Sequence, residues 1–253
     1  MKKEVMLYYF SPTGGTKKVG ESFCAGLAEK TQAINLGMKD YDIPSVTGDL
    51  VVVAAPVFAG RIPAIVIEKI KSLDGRGKRV VTIAVYGTRA YDDALLELNH
   101  TVSECGFEII ASAALIAQHS MVPIVGSGRP DANDVKEIQE FAEKVLEKIE
   151  SGKTGNVEVP GKYPYKDHMV VSATPICMEA CNHCGICEGL CPTGAIRITE
   201  NETVTELEKC ILCMACVAHC PGKARVLPAP MQEGLNQKLG VFKEIRRENE
   251  YFL

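Results

Sequence analysis

Short apolar runs alternate with amphipathic segments over the first 150 residues of the chain. Residues 50–55 and 80–86 are almost continuously apolar, which is typical of parallel strands covered on both faces. Between such runs, apolar residues recur every three or four positions, as Val19, Phe23 and Leu27 do, which predicts amphipathic helices. The alternation predicts right-handed crossovers and a doubly wound α/β sheet. We predict five strands, at residues 5–10, 33–36, 50–55, 80–86 and 108–117.

This periodicity ends at about residue 150. Residues 151–168 carry several glycines and prolines without a regular pattern, which indicates a linker. From residue 169 the chain is rich in cysteine, and its end is charged. These changes predict a domain at 1–150, a linker at 151–168, a second domain at 169–230 and a C-terminal tail at 231–253. We expect residues 237–253 to form a short helix whose terminus packs back on the body, with a mobile stretch as the open alternative.

The second domain contains an internal repeat. The segment CNHCGICEGLCP, which starts at Cys181, aligns without gaps with CILCMACVAHCP, which starts at Cys210. Each half reads C-x2-C-x2-C-x3-C-P; three cysteines at this spacing wrap one cubane, while the fourth ligates the other cluster in two-cluster ferredoxins. On this pattern the first [4Fe–4S] cluster takes Cys181, Cys184, Cys187 and Cys220. The second takes Cys191, Cys210, Cys213 and Cys216.

Structural zinc is the alternative for so many cysteines, but a zinc site uses C-x2-C pairs with a longer spacer. The repeat resembles bacterial-type 2[4Fe–4S] ferredoxins, also in the sequences PTGAI at 192–196 and PGKA at 221–224. The resemblance implies a small α+β domain with pseudo-symmetric halves. Cys177 has no counterpart in the repeat, where Glu206 aligns with it. We expect a packed residue there, with an exchangeable ligand or a redox-active thiol as the alternatives.

A glycine-rich loop follows the first predicted strand and leads into the first helix. It reads SPTGGT over residues 11–16. Free amides at a helix N-terminus together with hydroxyl groups suit a phosphate, and Ser11, Thr13 and Thr16 supply the hydroxyls. The loop is neither a Walker loop nor a dinucleotide fingerprint, because the spacing of both motifs is absent. A generic glycine turn stays open as the alternative.

This loop resembles the phosphate loop of flavodoxins. The resemblance implies a sheet of strand order 2-1-3-4-5 with FMN at the carboxyl ends of the strands, beside the loops at 55–63 and 86–93. The residues expected to bind FMN are Ser11, Thr13, Gly14, Gly15, Thr16, Pro56, Phe58, Gly60, Tyr86, Gly87, Thr88, Arg89 and Tyr91. Because the chain has no tryptophan, Phe58 and Tyr91 are the expected ring neighbours, with ordinary core packing as their alternative.

Two arginines, a glycine and a histidine in or beside these loops bear on the flavin. Arg61 and Arg89 either place positive charge beside the reduced ring or pair with the nearby aspartates. The backbone of Gly60 is expected to approach flavin N5. His119 follows the fifth strand, and we expect a capped or exposed histidine rather than a flavin contact.

The two modules together resemble fused flavodoxin–ferredoxin proteins of anaerobic bacteria and archaea. The resemblance implies an electron carrier, since FMN exchanges electrons in pairs and each cluster passes one at a time. The alternative is a reductase in which the clusters feed FMN and FMN reduces a small molecule. It is the less favoured one, because no Ser-His-Asp set, paired carboxylates or nicotinamide fingerprint is found. A third, weaker hypothesis is a ferredoxin on a flavodoxin-like scaffold that has lost FMN.

Charge and hydropathy restrict the partners. The formal net charge is −4 and the isoelectric point about 5.8, which gives no reason to expect nucleic acid binding. Bound clusters and a flavin phosphate add negative charge, which favours redox proteins with basic docking patches as donors and acceptors. The apolar run at 50–60 is too short to span a bilayer and no signal peptide is recognised, so we expect a cytoplasmic protein without a membrane span. A homodimer is the alternative if FMN and the clusters of one chain lie far apart.

Overall fold

The computed structural model describes residues 2–39, 41–153, 155–199 and 202–253 of the 253-residue chain. The first part alternates strands and helices: β1 (Lys2–Tyr9), α1 (Gly15–Leu27), β2 (Ala28–Asn35), β3 (Leu50–Pro56), α2 (Ala64–Lys71), β4 (Arg79–Tyr86), α3 (Ala94–Glu104), β5 (Glu108–Ile116) and α4 (Ala132–Glu150). The second part has shorter elements: β6 (Ile176–Cys177), α5 (Ile186–Leu190), β7 (Ile196–Ile198), β8 (Thr203–Thr205), α6 (Ala215–Ala218), β9 (Arg225–Val226), α7 (Ala229–Leu239) and β10 (Glu250–Phe252). Within the described residues, no helix is both long and apolar enough to cross a membrane.

Strands β1 to β5 form a parallel sheet in the order 2-1-3-4-5, which confirms the predicted doubly wound α/β fold. Every predicted strand is found, and the largest difference is in β2, which begins at Ala28 rather than at residue 33. β2 pairs with β1 at the edge of the sheet, where most of its side chains stay partly or fully exposed. Its first residues therefore carry no apolar signal.

A sixth strand, β10, joins the opposite edge of the sheet and runs antiparallel to β5, with Glu250 opposite Ala114. The expected helix is present only at the start of the stretch 237–253, where a 3-10 turn at Gly240–Phe242 follows α7, and Glu250–Phe252 form a strand instead. Helix α7 lies earlier and ends at Leu239, and the terminus packs back on the body as a strand. The physical reason is the free edge of β5, whose backbone groups are available for pairing.

Asn249 fixes the approach of this last strand. Its Oδ1 accepts a hydrogen bond from the Ile116 amide at 3.0 Å, and its Nδ2 donates to Asp134 Oδ1 at 3.0 Å. Asp134 is buried at the start of α4 and pairs there with Arg129, whose Nη1 donates to the Arg247 carbonyl at 2.7 Å. The tail is thus tied to α4 and β5 by a buried polar network, which is costly to break.

Apolar side chains fill both faces of the sheet. On one face, Phe23 of α1 and Phe141 of α4 pack with ring centroids 5.8 Å apart, over residues such as Val52. On the other face, Val53 packs with Ile70 of α2 and neighbouring residues of α3. Consecutive residues of β3 are thus buried on opposite faces, which explains its continuous apolar sequence. Each fully buried side chain of this size contributes about 1.5–3 kcal/mol.

The cysteine-rich part folds as two similar halves, which confirms the predicted small α+β domain. Its strands form two antiparallel pairs, β6 with β9 and β7 with β8. The short helices α5 and α6 occupy equivalent positions in the repeat, and each follows a residue in the left-handed conformation. These residues are Gly185, with φ of 82°, and Met214, with φ of 66°.

The described residues between the two parts, 155–168, form no helix or strand. They are nevertheless held on the first part of the chain. The carboxylate of Asp93 accepts hydrogen bonds from the amides of Lys162 and Lys166 at 2.9 and 2.8 Å. The ring of Tyr165 lies under the Arg61 guanidinium, whose carbon is 4.8 Å from the ring centroid. The connection therefore follows the start of α3 instead of crossing open solvent.

Candidate redox site

The turn between β1 and α1 leaves backbone amides free at the start of a helix. Gly14 has φ of 92° at the N-cap of α1 and supplies no side-chain cap. The amides of Gly15 and Thr16 find no acceptor within the described residues, whereas the Lys17 amide donates to Ser11 Oγ at 2.9 Å. Free amides at the positive end of a 13-residue helix suit a phosphate group.

An open cavity of about 700 Å³, the first cavity, lies at the carboxyl ends of β1, β3, β4 and β5. The strand order reverses between β1 and β3, and this is where doubly wound sheets bind their ligands. The predicted FMN residues that line the first cavity are Thr13, Gly15, Thr16, Pro56, Phe58, Tyr86 and Gly87.

A second cavity of about 820 Å³ adjoins the first and shares Tyr86 with it. Two further predicted FMN residues, Gly60 and Arg89, line this second cavity. Lys166 and Lys238 also line it, so its wall carries several positive charges. The structure thus brings the phosphate loop and the loops after β3 and β4 to one continuous space.

The remaining predicted FMN residues line neither cavity; they are Ser11, Gly14, Thr88 and Tyr91. Ser11 and Gly14 shape the phosphate loop from behind, and the Thr88 hydroxyl is buried without a partner among the described residues. Tyr91 is buried edge-on to Tyr86, with ring centroids 5.3 Å apart, and its hydroxyl donates to Glu250 Oε2 at 2.7 Å. Burial raises the pKa of Tyr91, so the hydroxyl stays protonated. Phe58 is therefore the better placed of the two expected ring neighbours.

Gly60 and the two arginines differ in what they offer the cavities. Gly60 has φ of 91°, and a Cβ at this position would collide with the Asp92 carboxylate, so the turn requires glycine. Arg61 is buried in a two-pronged ion pair with Glu97, at 2.8 and 2.6 Å, rather than with the aspartates. Arg89 pairs with Asp92 and remains at the cavity wall. Arg89 is thus the arginine of the pair that faces the proposed ligand space.

The second predicted set of cluster ligands lines one cavity of about 330 Å³, the cluster cavity. This set comprises Cys191, Cys210, Cys213 and Cys216. Burial raises the pKa of the Cys213 thiol to about 12, so binding of iron there must displace protons. The Ala195 amide donates to Cys191 Sγ at 3.2 Å, and hydrogen bonds to cluster sulfurs help to set reduction potentials.

The first predicted set of ligands is more open to solvent. Cys184 is exposed and Cys181 and Cys220 are half-buried, while Cys187 is buried. The Ala224 amide donates to Cys220 Sγ at 3.2 Å, just as Ala195 does in the other half. In the part of the chain that the structure describes, no three His, Cys, Asp or Glu side chains converge closely enough for a single metal ion. A cubane needs a wider arrangement, because each cysteine binds a different iron.

Comparison with known proteins identifies the cysteine-rich part. Residues 180–225 match the family described as 4Fe-4S dicluster domain. Over 49 residues the chain is 51% identical to a component of the ion-translocating oxidoreductase complex of Methanosarcina acetivorans, which covers 19% of each chain. Over 45 residues it is 47% identical to the aliphatic sulfonate oxidoreductase, polyferredoxin-like subunit, of Pyrococcus furiosus, which covers 17% of this chain and 26% of the relative. The matches therefore span about a fifth to a quarter of the length of these relatives.

The sheet domain resembles solved flavodoxins only distantly. A flavodoxin from the Archaea is 16% identical with a TM-score of 0.41, over 58% of this chain and 99% of its own. The Fusobacterium nucleatum flavodoxin bound to flavin mononucleotide is 14% identical with a TM-score of 0.41, over 58% and 98%. Similarity this low carries no weight alone, so the assignment rests on the strand order 2-1-3-4-5. A flavodoxin-like domain is joined to a 4Fe-4S dicluster domain.

The dicluster domain, which carries two [4Fe–4S] clusters, packs on the flavodoxin-like domain beside the first cavity. Leu212 and Cys213 line the first cavity and the cluster cavity alike. Ile211 packs against the core under the sheet, and the His219 ring nitrogen Nε2 lies 3.0 Å from the Pro12 carbonyl oxygen. A predicted cluster ligand therefore lines the same cavity as the predicted flavin loops.

The loop after β5 is a part of the site that the sequence pattern did not predict. Residues 118–121 line the first cavity. His119 is capped as expected, since its Nδ1 accepts from the amides of Met121 and Val122 at 3.2 Å each, and burial lowers its pKa. It nevertheless lines both flavin-loop cavities. The signal available was topological, because β5 ends at the same edge of the sheet as β1, β3 and β4.

Proposed function

We propose that the chain is a low-potential electron-transfer protein that couples FMN to its two [4Fe–4S] clusters. FMN, when bound, supplies the exchange between paired and single electrons. We assign FMN binding to the loops that line the first and second cavities, and cluster binding to the eight cysteines of the repeat. We also propose domain bounds of 1–150 and 169–230, with 151–168 as linker and 231–253 as tail.

The chemistry of the first cavity supports FMN. The free amides of Gly15 and Thr16 are donors for a phosphate at the end of α1. The half-buried ring of Phe58 offers an apolar surface for a flavin. Neutral His119 and Tyr86 line the wall between the two cavities and can exchange hydrogen bonds with a bound ring.

The position of Cys213 is the observation that supports coupling between FMN and the clusters. It lines the first cavity together with the flavin loops and lines the cluster cavity with three other predicted ligands. The cluster on Cys191, Cys210, Cys213 and Cys216 is therefore the inner cluster. The cluster on Cys181, Cys184, Cys187 and Cys220 is the outer cluster, because Cys184 is exposed. This order supports electron exchange with partners at the outer cluster and with FMN at the inner one, within one chain.

The relatives support redox proteins as partners. Both matched proteins are named as parts of oxidoreductases, so each of them works beside other components of a redox system. The formal charge of −4, made more negative by clusters and flavin phosphate, favours a partner with a basic docking surface.

An anaerobic redox titration tests the proposal. Protein quantified for iron, sulfide and flavin is titrated while visible absorption and EPR are recorded. We expect about eight irons and about eight sulfides for each FMN, with the flavin reduced through the clusters. Full iron without flavin would contradict FMN binding and leave a dicluster ferredoxin on a flavin-free scaffold.

The second cavity favours one alternative, a reductase that acts on a small anion. Arg89, Lys166 and Lys238 line this cavity beside the flavin loops; Arg89 and Lys166 share the single carboxylate of Asp92, so the group keeps a net positive charge that can attract a negatively charged acceptor. Reduced protein is mixed with 4-nitrobenzoate and with neutral 4-nitrobenzyl alcohol as the control acceptor. A reductase is supported if turnover is fast and Lys238→Gln lowers kcat/KM for the anion alone. Slow and charge-independent turnover supports the carrier.

A further inference from the structure

Arg225 is a buried cation without a carboxylate partner. Its side chain is 2% exposed, and no ion pair joins it to an acidic residue among the described residues. Nη2 donates to Thr205 Oγ1 at 2.6 Å, and Nη1 donates to Cys177 Sγ at 3.2 Å. Nη2 also lies 4.0 Å from Sγ of Cys216, an inner-cluster ligand, while Nε has no acceptor in the described structure. Two of these three polar contacts of the guanidinium are thus to cysteine sulfurs.

A charge in this position needs a compensating charge. Burying an unpaired guanidinium is strongly unfavourable, and a neutral hydroxyl does not balance it. The groups beside Arg225 that become negative are the cysteine thiolates and the clusters they hold. A cubane with four thiolates is anionic, and reduction adds one more negative charge. Its negative charge therefore grows when it is reduced, and a nearby fixed cation stabilises the reduced form most.

The internal repeat shows that this arginine is not required by the fold. The residue aligned with Arg225 in the first half is Ile196, which is also buried. Cys177 likewise breaks the repeat, since Glu206 aligns with it. These two departures face each other across the β6–β9 pair, where Cys177 is opposite Arg225. The asymmetry thus places one buried cation in the domain and pairs it with the cysteine outside the repeat.

We propose that Arg225 is a positioning residue that serves as the buried counter-cation of the clusters and raises the reduction potential of the inner cluster above what the repeat alone gives. The inference rests on the cluster assignment under Proposed function. In this role Arg225 favours arrival of an electron at the cluster beside the flavin loops. Because its charge is shielded from solvent, its effect depends little on ionic strength.

Midpoint potentials of the holoprotein test this role. Arg225→Met removes the buried charge, and Arg197→Gln removes an exposed charge of the same sign from β7 as the matched control. For Arg225→Met we expect the ratio of reduced to oxidised inner cluster at fixed potential to fall at least about tenfold, a shift of about 59 mV for one electron. Arg197→Gln is expected to shift it far less, and the shift shrinks further in high salt.

Iron analysis and the Arg225→Lys variant distinguish failure of the proposed function from failure of the proposed role of Arg225. Wild-type protein with fewer than about eight irons contradicts the proposed function itself. Full iron with equal potentials in wild type and Arg225→Met overturns only the role of Arg225. If Arg225→Met does not hold full iron, Arg225→Lys decides: a ratio within about threefold of wild type supports the charge, and a tenfold change overturns it.

Discussion

The two halves of the cysteine repeat share one backbone and meet different surroundings. Cys184 in the first half is exposed, whereas the aligned Cys213 is half-buried and lines the first cavity. His183 and Leu212 are also aligned, with φ of 54° and 51°, but Leu212 is buried and His183 is only half-buried. The cysteine spacing thus sets the loop conformation, while the residues between the cysteines decide whether a half packs or stays open.

Under the proposed function, this difference gives the two clusters different tasks. The residues between the first three cysteines are Asn182, His183, Gly185 and Ile186 in the first half, against Ile211, Leu212, Met214 and Ala215 in the second. The apolar set lets the second half pack on the sheet domain, where burial raises the pKa of Cys213. In the first half Cys184 and Ile186 stay exposed, which under the proposed function leaves that half accessible to a partner.

Removing one ligand from each half is expected to have the largest effect. Cys184→Ala and Cys213→Ala should each lose one cluster, leaving about four irons per chain. In Cys213→Ala we expect the remaining cluster to be reduced quickly by an external low-potential donor while the flavin is reduced far more slowly. In Cys184→Ala, flavin and cluster reduction should proceed together. Stopped-flow absorption measures both, and identical behaviour of the two variants contradicts the inner and outer assignment.

The next largest effect is expected on stability, from a substitution that weakens the attachment of the tail that covers the second half. Met231 and Leu235 of α7 pack with Leu212, and the chain beyond α7 ends in the network around Asp134. Asp134→Asn leaves Arg129 buried without a counter-charge, which is expected to cost about 3–5 kcal/mol. The control Glu140→Gln removes only an exposed pair and should cost less than about 1 kcal/mol. Thermal unfolding at one scan rate compares them.

The stability difference between wild type and Asp134→Asn should change with pH in a defined direction. Burial raises the pKa of Asp134, but hydrogen bonds from Arg129, the Asp131 amide and Asn249 together hold it below its usual range. This carboxylate therefore stabilises the fold above about pH 4 and loses that contribution as pH falls through its lowered pKa. The difference between wild type and Asp134→Asn should be constant near neutrality and shrink below about pH 4. A difference that grows on acidification contradicts this role.

The sequence predicted the elements that have a local, repeating signal. It did not predict contacts between residues that lie far apart in the chain. The apolar runs of β3 and β4 and the spacing of the eight cysteines carry local signals, whereas the strand order was implied by the resemblance of the loop at 11–16 to flavodoxins. The pairing of β10 with β5 has no local signal, because three residues gain strand geometry only from the edge they meet. Tyr91 shows the same limit within the site, since its partner Glu250 lies at the far end of the chain.

Substitutions at aligned positions of the two halves test whether apolar residues hold the second half in place, with a somewhat smaller expected effect on stability. Leu212→Ala removes a buried side chain between the two domains and is expected to cost about 2–5 kcal/mol. His183→Ala, at the aligned position, should change stability by no more than about 0.5 kcal/mol. Both variants keep every cysteine, so iron content serves as the control. Equal unfolding midpoints for the two would mean that the second half is not held by its apolar residues.

Two glycines with similar positive φ angles distinguish the effect of backbone strain from the effect of a steric collision beside the proposed FMN site. Gly60 and Gly77 have φ of 91° and 71°, but a Cβ at Gly77 meets nothing within 4 Å, whereas at Gly60 it collides with Asp92. Gly77→Ala should therefore cost about 1–2 kcal/mol from backbone strain alone and leave FMN affinity unchanged. Gly60→Ala carries the same strain, and it must also displace Asp92, which pairs with Arg89 at the wall of the second cavity. We expect its FMN dissociation constant, measured by flavin fluorescence, to rise about tenfold, equivalent to about 1.4 kcal/mol. Equal affinities in the two variants would show that Gly60 is needed for the turn alone, and the flavin would then be held chiefly by the phosphate loop.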